Sequence, residues 1–216
     1  MNHSMLIFAA DVHVVPGEGK DVDIFIHWLD EARKRASEIY VLGDLFDYWF
    51  TGAHRQAPRL VQALVSARVC IVPGNRDFLL ANSRISGLKV LGEEAVITSP
   101  SSTRVLLAHG HTLTRGDRGF KVFHALGWPL LRLLDRQLQG PPKDRLARFL
   151  VRSSSTVRTP RAVIDSETSR RRGVDTVVCG HLHRGFMSPG LIVLPAFFDA
   201  RQWLVWDSDG PRLEGG

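Results

Sequence analysis

The stretch Ile39-Tyr40-Val41-Leu42-Gly43-Asp44-Leu45-Phe46-Asp47 joins a short apolar run to two carboxylates. The same pattern, an apolar run followed by Asp, Asn or His, recurs at Asp11-Val12-His13, Gly74-Asn75-Arg76-Asp77, His109-Gly110-His111 and Gly180-His181-Leu182-His183. Short β-branched runs of this kind are typical of buried strands with functional loops at their carboxyl ends. We therefore expect five strand ends to bring these polar side chains together at one edge of a sheet.

The segments between the first strands have the spacing of helices. Apolar residues recur with helical periodicity in residues 22–32 and again in residues 59–65. Alternation of strand, helix and strand predicts an α/β fold with buried parallel strands. Residues 191–205 are predicted to return as strands that close the sheet. We predict one domain over residues 1–216, because no repeat or low-complexity segment divides the chain.

Residues 118–165 interrupt this alternation and are predicted to form a helical lid over the strand ends. Gly140-Pro141-Pro142 divides the segment into two predicted helices, in which leucines alternate with basic residues. Residues 118–172 hold 13 Lys and Arg against 4 Asp and Glu, whereas the whole chain has a net charge of +6. Such a basic, amphipathic surface favours an anionic ligand or an anionic membrane face. The alternative is that the charges are merely solvated and the leucines pack on the body.

Composition excludes some classes of protein. No apolar run approaches the roughly 18 to 20 residues that span a bilayer, and the first residues lack the pattern of a secretory signal. Cys70 and Cys179 both lie in apolar runs, so we expect buried thiols and a reducing, cytoplasmic location. The basic charge is confined to one segment and no nucleic-acid-binding module is recognisable, so no nucleic-acid partner is expected.

The polar side chains at the strand ends have the chemistry of metal ligands. Carboxylate, amide and imidazole groups without any thiolate favour a moderately hard divalent ion such as Mn²⁺ over structural Zn²⁺. Asp44 directly follows a strand and could bridge two ions with its two oxygens. The predicted ligands are Asp11, His13, Asp44, Asn75, His109, His181 and His183.

With these motifs in place, the chain resembles the calcineurin-like metallophosphoesterases, whose pattern is D-x-H, G-D-x-x-D, G-N-[H/R]-[D/E], a histidine after a strand, and G-H-x-H. The resemblance implies a four-layer α/β/β/α sandwich and two metal ions that clamp the attacking and departing oxygens of a phosphoryl group. It also implies two ligand sets that share Asp44: Asp11, His13, Asp44 and His183 on one ion, and Asp44, Asn75, His109 and His181 on the other.

Arg76 indicates which members of this superfamily the chain resembles most. Many relatives have His at this place, which can protonate an alcohol leaving group, whereas arginine releases no proton near neutral pH. A site with Arg76 should therefore favour a phosphate that leaves from a diphosphate. Gly43 to Trp49 and Gly74 to Leu80 resemble the UDP-2,3-diacylglucosamine diphosphatases of lipid A synthesis.

That resemblance implies Mn²⁺-dependent cleavage of a nucleotide-diphosphate glycolipid to UMP and 2,3-diacylglucosamine 1-phosphate, at the inner face of the inner membrane. Asn75, Arg76 and His109 are the expected catalytic residues. The expected substrate contacts are Asn75, Arg76, Asp117, His181, Ser154, Arg158 and Arg161.

The chain departs from that family at two motifs and has a shorter lid, and other functions stay open. Phe50-Thr51-Gly52-Ala53-His54-Arg55 replaces a segment that usually carries an acidic pair, and His111 replaces an acidic residue. The main alternative is hydrolysis of another nucleotide diphosphate, such as a nucleotide-sugar or a dinucleoside polyphosphate. A nucleic-acid phosphodiesterase and a non-catalytic scaffold are less favoured, because the charge is clustered and every ligand position is filled. No obligate protein partner is inferred.

Overall fold

The structure is a computed structural model and describes residues 4–115, 118–138, 145, 163–165 and 167–216. Its first sheet has six strands in the order β13-β12-β1-β2-β3-β4. The strands of this sheet are β1 (Leu6–Ala9), β2 (Glu38–Leu42), β3 (Cys70–Val72), β4 (Lys89–Val90), β12 (Gln202–Asp207) and β13 (Gly210–Gly215). Strands β1 to β4 run parallel, β12 pairs antiparallel with the free edge of β1, and β13 pairs antiparallel with β12.

The second sheet has five strands in the order β10-β11-β9-β6-β5. They are β5 (Glu94–Thr98), β6 (Arg104–Ala108), β9 (Thr176–Cys179), β10 (Phe186–Ser188) and β11 (Leu191–Val193). The central strands β6, β9 and β11 are parallel, whereas β5 and β10 pair antiparallel at the two edges. Strands β7 (Thr114–Arg115) and β8 (Val163–Ile164) form a separate two-stranded sheet.

Helices connect and cover the sheets. The described α-helices are α1 (Lys20–Arg35), α2 (Pro58–Ser66), α3 (Arg118–Gln137), α4 (Thr168–Arg172) and α5 (Phe197–Ala200). Two 3-10 helices, Ala53–Arg55 and Phe78–Asn82, lie in the loops after β2 and β3. Acidic residues in the first turn of α1 and basic residues in its last turn match the charges of the helix dipole. Proline at the first position of α2 starts that helix.

The central strands of both sheets are buried on both faces. In β1, Ile7 and Ala9 face the layer of α1 and α2, whereas Leu6 and Phe8 face the other sheet. The strands of the second sheet also divide between two clusters, since Val178 faces the first sheet and Val177 faces outward. These alternating contacts stack a helical layer, two sheets and an outer layer that includes α4. The predicted α/β/β/α sandwich is confirmed.

The predicted elements agree with the structure at most places. The five predicted strands that precede the motifs and the helices predicted in residues 22–32 and 59–65 are found, and Cys70 and Cys179 are buried free thiols. The sheets are mixed rather than purely parallel. The prediction of strands throughout residues 191–205 is wrong in part, because Phe197–Ala200 is a short helix between β11 and β12. The ring of Phe197 packs edge-on against Phe25 of α1, with centroids 5.2 Å apart, which draws this segment out of the sheet.

The first half of the predicted lid is present as α3. Pro129 lies inside it, and the predicted break at Gly140-Pro141-Pro142 lies outside the described residues, as does most of the second predicted helix. Leu131 is 8% exposed and belongs to the core, whereas Leu130 and Leu133 are 56% and 49% exposed. The leucines of α3 are therefore divided between packing and solvent. Among the described helices, none combines the length and the apolar character needed to cross a membrane.

Candidate metal centre

The side chains predicted as ligands meet where the two sheets present their strand ends. Five loops carry them, after β1, β2 and β3 of the first sheet and after β6 and β9 of the second. Hydrogen bonds join the two sheets at this edge, since Leu42 O accepts from His109 Nδ1 at 3.1 Å and Ala10 O accepts from the backbone N–H of Phe197 at 3.1 Å. Residues far apart in sequence are thus fixed relative to one another.

The first group of side chains surrounds one oxygen of Asp11. His183 Nε2 lies 3.5 Å and His13 Nε2 lies 3.9 Å from Asp11 Oδ1, and the two imidazole nitrogens are 3.2 Å apart. The other oxygen, Asp11 Oδ2, accepts a hydrogen bond of 2.7 Å from the backbone N–H of His181. Asp11 Oδ1 is buried and accepts no hydrogen bond from any described residue. A buried carboxylate oxygen faced by imidazoles is suited to a cation.

The second group surrounds Nε2 of His109. Asn75 Oδ1 lies 2.9 Å, His181 Nδ1 3.2 Å and Asp44 Oδ2 3.6 Å from this nitrogen. The Leu42 carbonyl only accepts, so its contact with Nδ1 places the proton there and leaves a lone pair on Nε2. A metal-bound histidine usually donates its other ring N–H to an acceptor in this way.

The donor atoms of the second group fit a divalent ion. With the proton on Nδ1 of His109, both Nε2 and the nearby oxygen of Asn75 are acceptors, and no hydrogen lies between them. Neighbouring ligand atoms on a six-coordinate ion with bonds of about 2.1 Å lie about 3 Å apart. The separations of 2.9 and 3.2 Å around Nε2 are of this size. The residues therefore fit a metal ion.

Asp11 lies close to side chains of both groups. In the part of the chain that the structure describes, two groups of three acidic or histidine side chains have ligand atoms within 4.8 Å of one another: Asp11 with His13 and His183, and Asp11 with Asp44 and His109. Asp44 Oδ1 accepts a 2.8 Å hydrogen bond from the backbone N–H of Arg76, so its Oδ2 is the oxygen directed to His109. The bridging role of Asp44 stays a prediction.

Burial and mutual charge set the protonation of the group. Burial lowers the pKa of His181 to about 3 and also lowers the pKa of His183, so both rings are neutral near pH 7. Burial raises the pKa of Asp11. Burial would also raise the pKa of Asp44, but the electrostatic interactions of its carboxylate with the imidazole rings of His109 and His13 outweigh burial and lower this pKa to about 2. Neutral imidazoles beside carboxylates are the protonation states that bind metal.

The backbone is strained at most of these positions. Eight described residues other than glycine have positive φ, and five of them are predicted ligands: Asp11, His13, Asp44, His181 and His183. Such conformations cost on the order of 1 kcal/mol or more each and persist where the surroundings enforce them. The loop after β1 is held by the loop after β2, since His13 N donates to Asp44 O at 2.9 Å and Asp11 N to Gly43 O at 3.1 Å.

Two motif glycines let the strand ends approach closely. A Cβ on Gly74 would lie 2.2 Å from Asp44 Oδ1, and a Cβ on Gly180 would lie 2.4 Å from Asp11 Oδ2. Neither distance is compatible with a side chain. Each glycine thus leaves room for a ligand of a different motif. Gly74 follows the neighbouring strand and leaves room for Asp44, whereas Gly180 follows a strand of the other sheet and leaves room for Asp11.

Two carboxylates in the motifs have roles that sequence reasoning missed. Asp77 is completely buried, and its two oxygens accept hydrogen bonds from Gly74 N at 2.7 Å and Phe46 N at 3.2 Å, which ties together the loops after β2 and β3. Burial and then the charge of Asp44 raise the pKa of Asp77 to about 6. The signal in the sequence is the acidic residue that ends each motif, Asp47 in G-D-x-x-D and Asp77 in G-N-[H/R]-[D/E].

Asp47 is the second of these carboxylates. Its Oδ1 lies 3.3 Å from His13 Nδ1 and accepts a 2.8 Å hydrogen bond from Arg76 Nη1. Burial acts to lower the pKa of His13, but the contact with Asp47 and the charge of Asp44 outweigh it and raise this pKa. The contact places Nδ1 of His13 beside Asp47 and leaves Nε2 directed towards Asp11 and His183.

Arg76 lies beside the candidate centre. Its Nη1 pairs with Asp47, and its Nε is 3.9 Å from Asp44 Oδ2. The other predicted substrate contacts, Asp117, Ser154, Arg158 and Arg161, lie outside the described residues. The structure thus brings all seven predicted ligands and Arg76 together, with Asp47 and Asp77 as additional members.

Comparison with known proteins places the chain in a family. The calcineurin-like phosphoesterase family matches residues 5–185. A protein named UDP-2,3-diacylglucosamine hydrolase from Edwardsiella ictaluri (strain 93-146) is 32% identical over 196 residues, which cover 82% of this chain and 75% of that protein. A protein of the same name from Escherichia coli O139:H28 (strain E24377A / ETEC) is 30% identical over 82% of this chain and 81% of its own length.

Solved structures include similar proteins. The phosphoesterase Yfce from E. coli is 16% identical, with a TM-score of 0.48 over 95% of this chain and 89% of that chain.

The family match extends from β1 to the loop after β9, so it includes all five loops that carry the candidate ligands. Family membership and the convergence of these loops lead to the same chemistry. The chain belongs to the calcineurin-like phosphoesterases and is a metal-dependent hydrolase.

Proposed function

We propose that the chain hydrolyses the diphosphate of UDP-2,3-diacylglucosamine to UMP and 2,3-diacylglucosamine 1-phosphate. The observation that carries this proposal is the similarity, over most of the chain, to proteins named UDP-2,3-diacylglucosamine hydrolase, together with the strand-end cluster of Asp, Asn and His. The glycolipid is the proposed substrate, and two divalent ions, with Mn²⁺ as the proposed metal, are the proposed cofactors.

Each proposed ion takes ligands from both sheets. Asp11, His13, Asp44 and His183 would hold one ion, and Asp44, Asn75, His109 and His181 the other. Such ions activate a water molecule and neutralise charge on the phosphate oxygens when they are bound. The protein supplies the geometry: Leu42 O orients His109, and Asp47 orients His13.

Arg76 supports a diphosphate substrate. Its guanidinium cannot supply a proton to an alcohol leaving group, but it can donate hydrogen bonds to a phosphate that departs with its charge. The hydrogen bond from Nη1 to Asp47 holds the Arg76 side chain beside the cluster before substrate binds, so little side-chain entropy is lost when it contacts a phosphate. Asn75 and His109 are the other proposed catalytic residues, and His181 and Asp117 are proposed to contact the substrate with Asn75 and Arg76. Ser154, Arg158 and Arg161 stay candidates for the glycolipid.

The exposed side of α3 supports a lipid substrate and a peripheral membrane contact. Leu130 and Leu133 lie in solvent on this helix, and Arg136 is exposed beside them. Apolar and basic side chains on one helix suit an anionic membrane surface. We propose that the protein acts in the cytoplasm and makes peripheral contact with the inner membrane, without an obligate protein partner.

A second candidate keeps the reaction and changes the substrate to a soluble nucleotide diphosphate. The observation in its favour is that Trp128 and Leu131, two large apolar residues of α3, belong to the core. These side chains are explained by packing and need no acyl chain.

Release of UMP distinguishes the two substrates. The purified protein is incubated with Mn²⁺ and either UDP-2,3-diacylglucosamine or UDP-N-acetylglucosamine, and UMP is measured by chromatography. The proposal predicts release that requires the metal and a kcat/KM at least about a hundredfold higher for the diacylated substrate. Equal values would favour the soluble alternative, and an absence of release from both would contradict the proposed reaction.

A further inference from the structure

Helix α3 contacts three of the loops that carry the candidate ligands. Thr51 lies beyond the motif of Asp44, Phe78 directly follows the motif of Asn75, and His111 follows His109 by two residues. Each of these three residues touches the part of α3 between Trp128 and Asp135. Two of them, Thr51 and His111, stand where the chain departs from the diphosphatase pattern. The departures therefore coincide with the positions at which α3 is attached.

The contact with Thr51 is a pair of hydrogen bonds to a buried carboxylate. Asp135 Oδ1 accepts from the backbone N–H of Thr51 at 2.9 Å, and Asp135 Oδ2 accepts from the hydroxyl of Thr51 at 2.6 Å. Asp135 is buried, so both bonds act in a medium that strengthens them. Bonds to an ionised acceptor are roughly twice as strong as bonds between neutral groups. This end of α3 is fixed to the loop that follows β2.

The contact with Phe78 is an aromatic stack. The rings of Phe78 and Trp128 lie with centroids 4.0 Å apart and an interplanar angle of 12°. The guanidinium carbon of Arg132 is 5.8 Å from each of the two ring centroids. Phe78 adjoins Asp77, whose carboxylate holds Gly74 and Phe46. A displacement of this stack would therefore act on the loops of both Asn75 and Asp44.

The ring of Trp128 also reaches the third loop. Its centroid is 5.6 Å from that of His111, which in turn is 5.4 Å from that of His109. Trp128 thus contacts Phe78, which lies three residues after Asn75, and His111, which lies two residues after His109. These two ligands are the pair whose atoms lie 2.9 Å apart.

We propose that Asp135 and Trp128 of α3 are positioning residues that hold the loops of Asp44, Asn75 and His109, so that docking of α3 and metal binding stabilise each other. The inference rests on the proposed metal centre. Because such coupling is reciprocal, a metal bound at the centre should protect α3 in return. A helix that merely covers the site would show neither effect.

Metal affinity is the readout that separates these roles. Thr51→Val removes the hydroxyl bond to Asp135 without a change of shape, Thr51→Ser retains it, and Arg136→Gln changes an exposed residue on the same helix. Mn²⁺ is titrated into each metal-free protein by calorimetry, and its thermal denaturation is recorded to confirm that it is folded. We expect Thr51→Val to weaken Mn²⁺ binding roughly three- to tenfold, because only part of the free energy of the lost hydrogen bond is transmitted to the metal centre. Thr51→Ser and Arg136→Gln should bind as the unaltered protein does.

Hydrogen exchange tests the reciprocal effect. Saturating Mn²⁺ should slow amide exchange in α3 of the unaltered protein and of Arg136→Gln, and should slow it less in Thr51→Val. Trp128→Leu provides a second variant, which removes the stack on Phe78 and should also weaken Mn²⁺ binding. If the unaltered protein binds Mn²⁺ and both Thr51→Val and Trp128→Leu bind it equally well, the positioning role is refuted while the proposed function stands. If the unaltered protein binds no Mn²⁺, the proposed function itself is contradicted.

Discussion

Replacement of Gly74 by alanine tests how closely the strand ends must approach. Gly74 does not have a positive φ, so the substitution introduces no backbone strain of its own. Its added Cβ would meet Asp44 Oδ1 at 2.2 Å and Asp44 N at 2.3 Å. The neighbouring atom is thus backbone as well as side chain, and it cannot move aside by a change of rotamer.

The required displacement sets the size of the effect. Cβ contacts below 3.0 Å are essentially never observed, so Asp44 or Gly74 must move by at least about 0.8 Å. A misplacement of about 1 Å in a catalytic group can reduce the rate by about a hundredfold. Overpacking of this kind destabilises a protein by about 1–3 kcal/mol. We therefore expect Gly74→Ala to lose about two orders of magnitude in kcat and to bind Mn²⁺ more weakly.

The matched control is Gly92→Ala, whose added Cβ would meet its nearest atom at an ordinary 3.4 Å. Both variants are compared by Mn²⁺ titration, by UMP release and by thermal denaturation. The control should agree with the unaltered protein in all three. Normal Mn²⁺ affinity and normal kcat in Gly74→Ala would refute the idea that this glycine sets the position of Asp44.

Four further substitutions probe the proposed roles. Arg76→His should depress diphosphate cleavage while sparing hydrolysis of an activated phosphodiester such as bis-p-nitrophenyl phosphate, and equal losses on both would assign Arg76 to structure or binding alone. Asp47→Asn removes the charge beside His13 and Arg76 and should weaken Mn²⁺ binding about 10- to 100-fold, as loss of a residue that orients a ligand commonly does; unchanged affinity would refute the orienting role. Leu130→Ser should leave the melting temperature unchanged and raise KM for the diacylated substrate only, whereas Leu131→Ser should destabilise the fold by about 2–5 kcal/mol. A KM unaffected by Leu130→Ser would show that this exposed side chain does not contact acyl chains.

Sequence patterns identified the strand ends because local and global signals agree there. The run from Ile39 to Leu42 is β-branched and apolar, and the Gly43-Asp44 pair that follows it ends the strand. Parallel strands present their carboxyl ends at one edge, so residues as distant as Asp11 and His183 could be expected to meet. The fold class follows from the same alternation.

The edge strands and the short helix α5 could not be predicted for a physical reason. Strand β4 has only two residues, and β5 alternates between exposed and half-buried positions, so neither has the continuous apolar run of a central strand. Phe197 and Phe198 favour a strand by composition, but Phe197 packs on the aromatic residues of α1. Tertiary packing overrides the local preference at this point.

The roles of Asp47, Asp77 and Thr51 depend on side-chain direction, which a motif does not contain. Both oxygens of Asp77 accept hydrogen bonds from backbone N–H groups, although it stands only two residues from the predicted ligand Asn75. Thr51 gains its role from Asp135, which lies 84 positions away in the sequence. Contacts of this kind follow only from the arrangement of the loops in space.

The positions of the metal ions test the central claim most directly. Crystals of the protein grown with Mn²⁺ are measured at the manganese absorption edge, and the anomalous difference density locates the metal. The account predicts two peaks, one contacted by His13 and His183 and the other by Asn75 and His109, with Asp44 between them. A protein that hydrolyses its substrate but shows peaks away from these five strand ends, or no ordered Mn²⁺ at all, would contradict it.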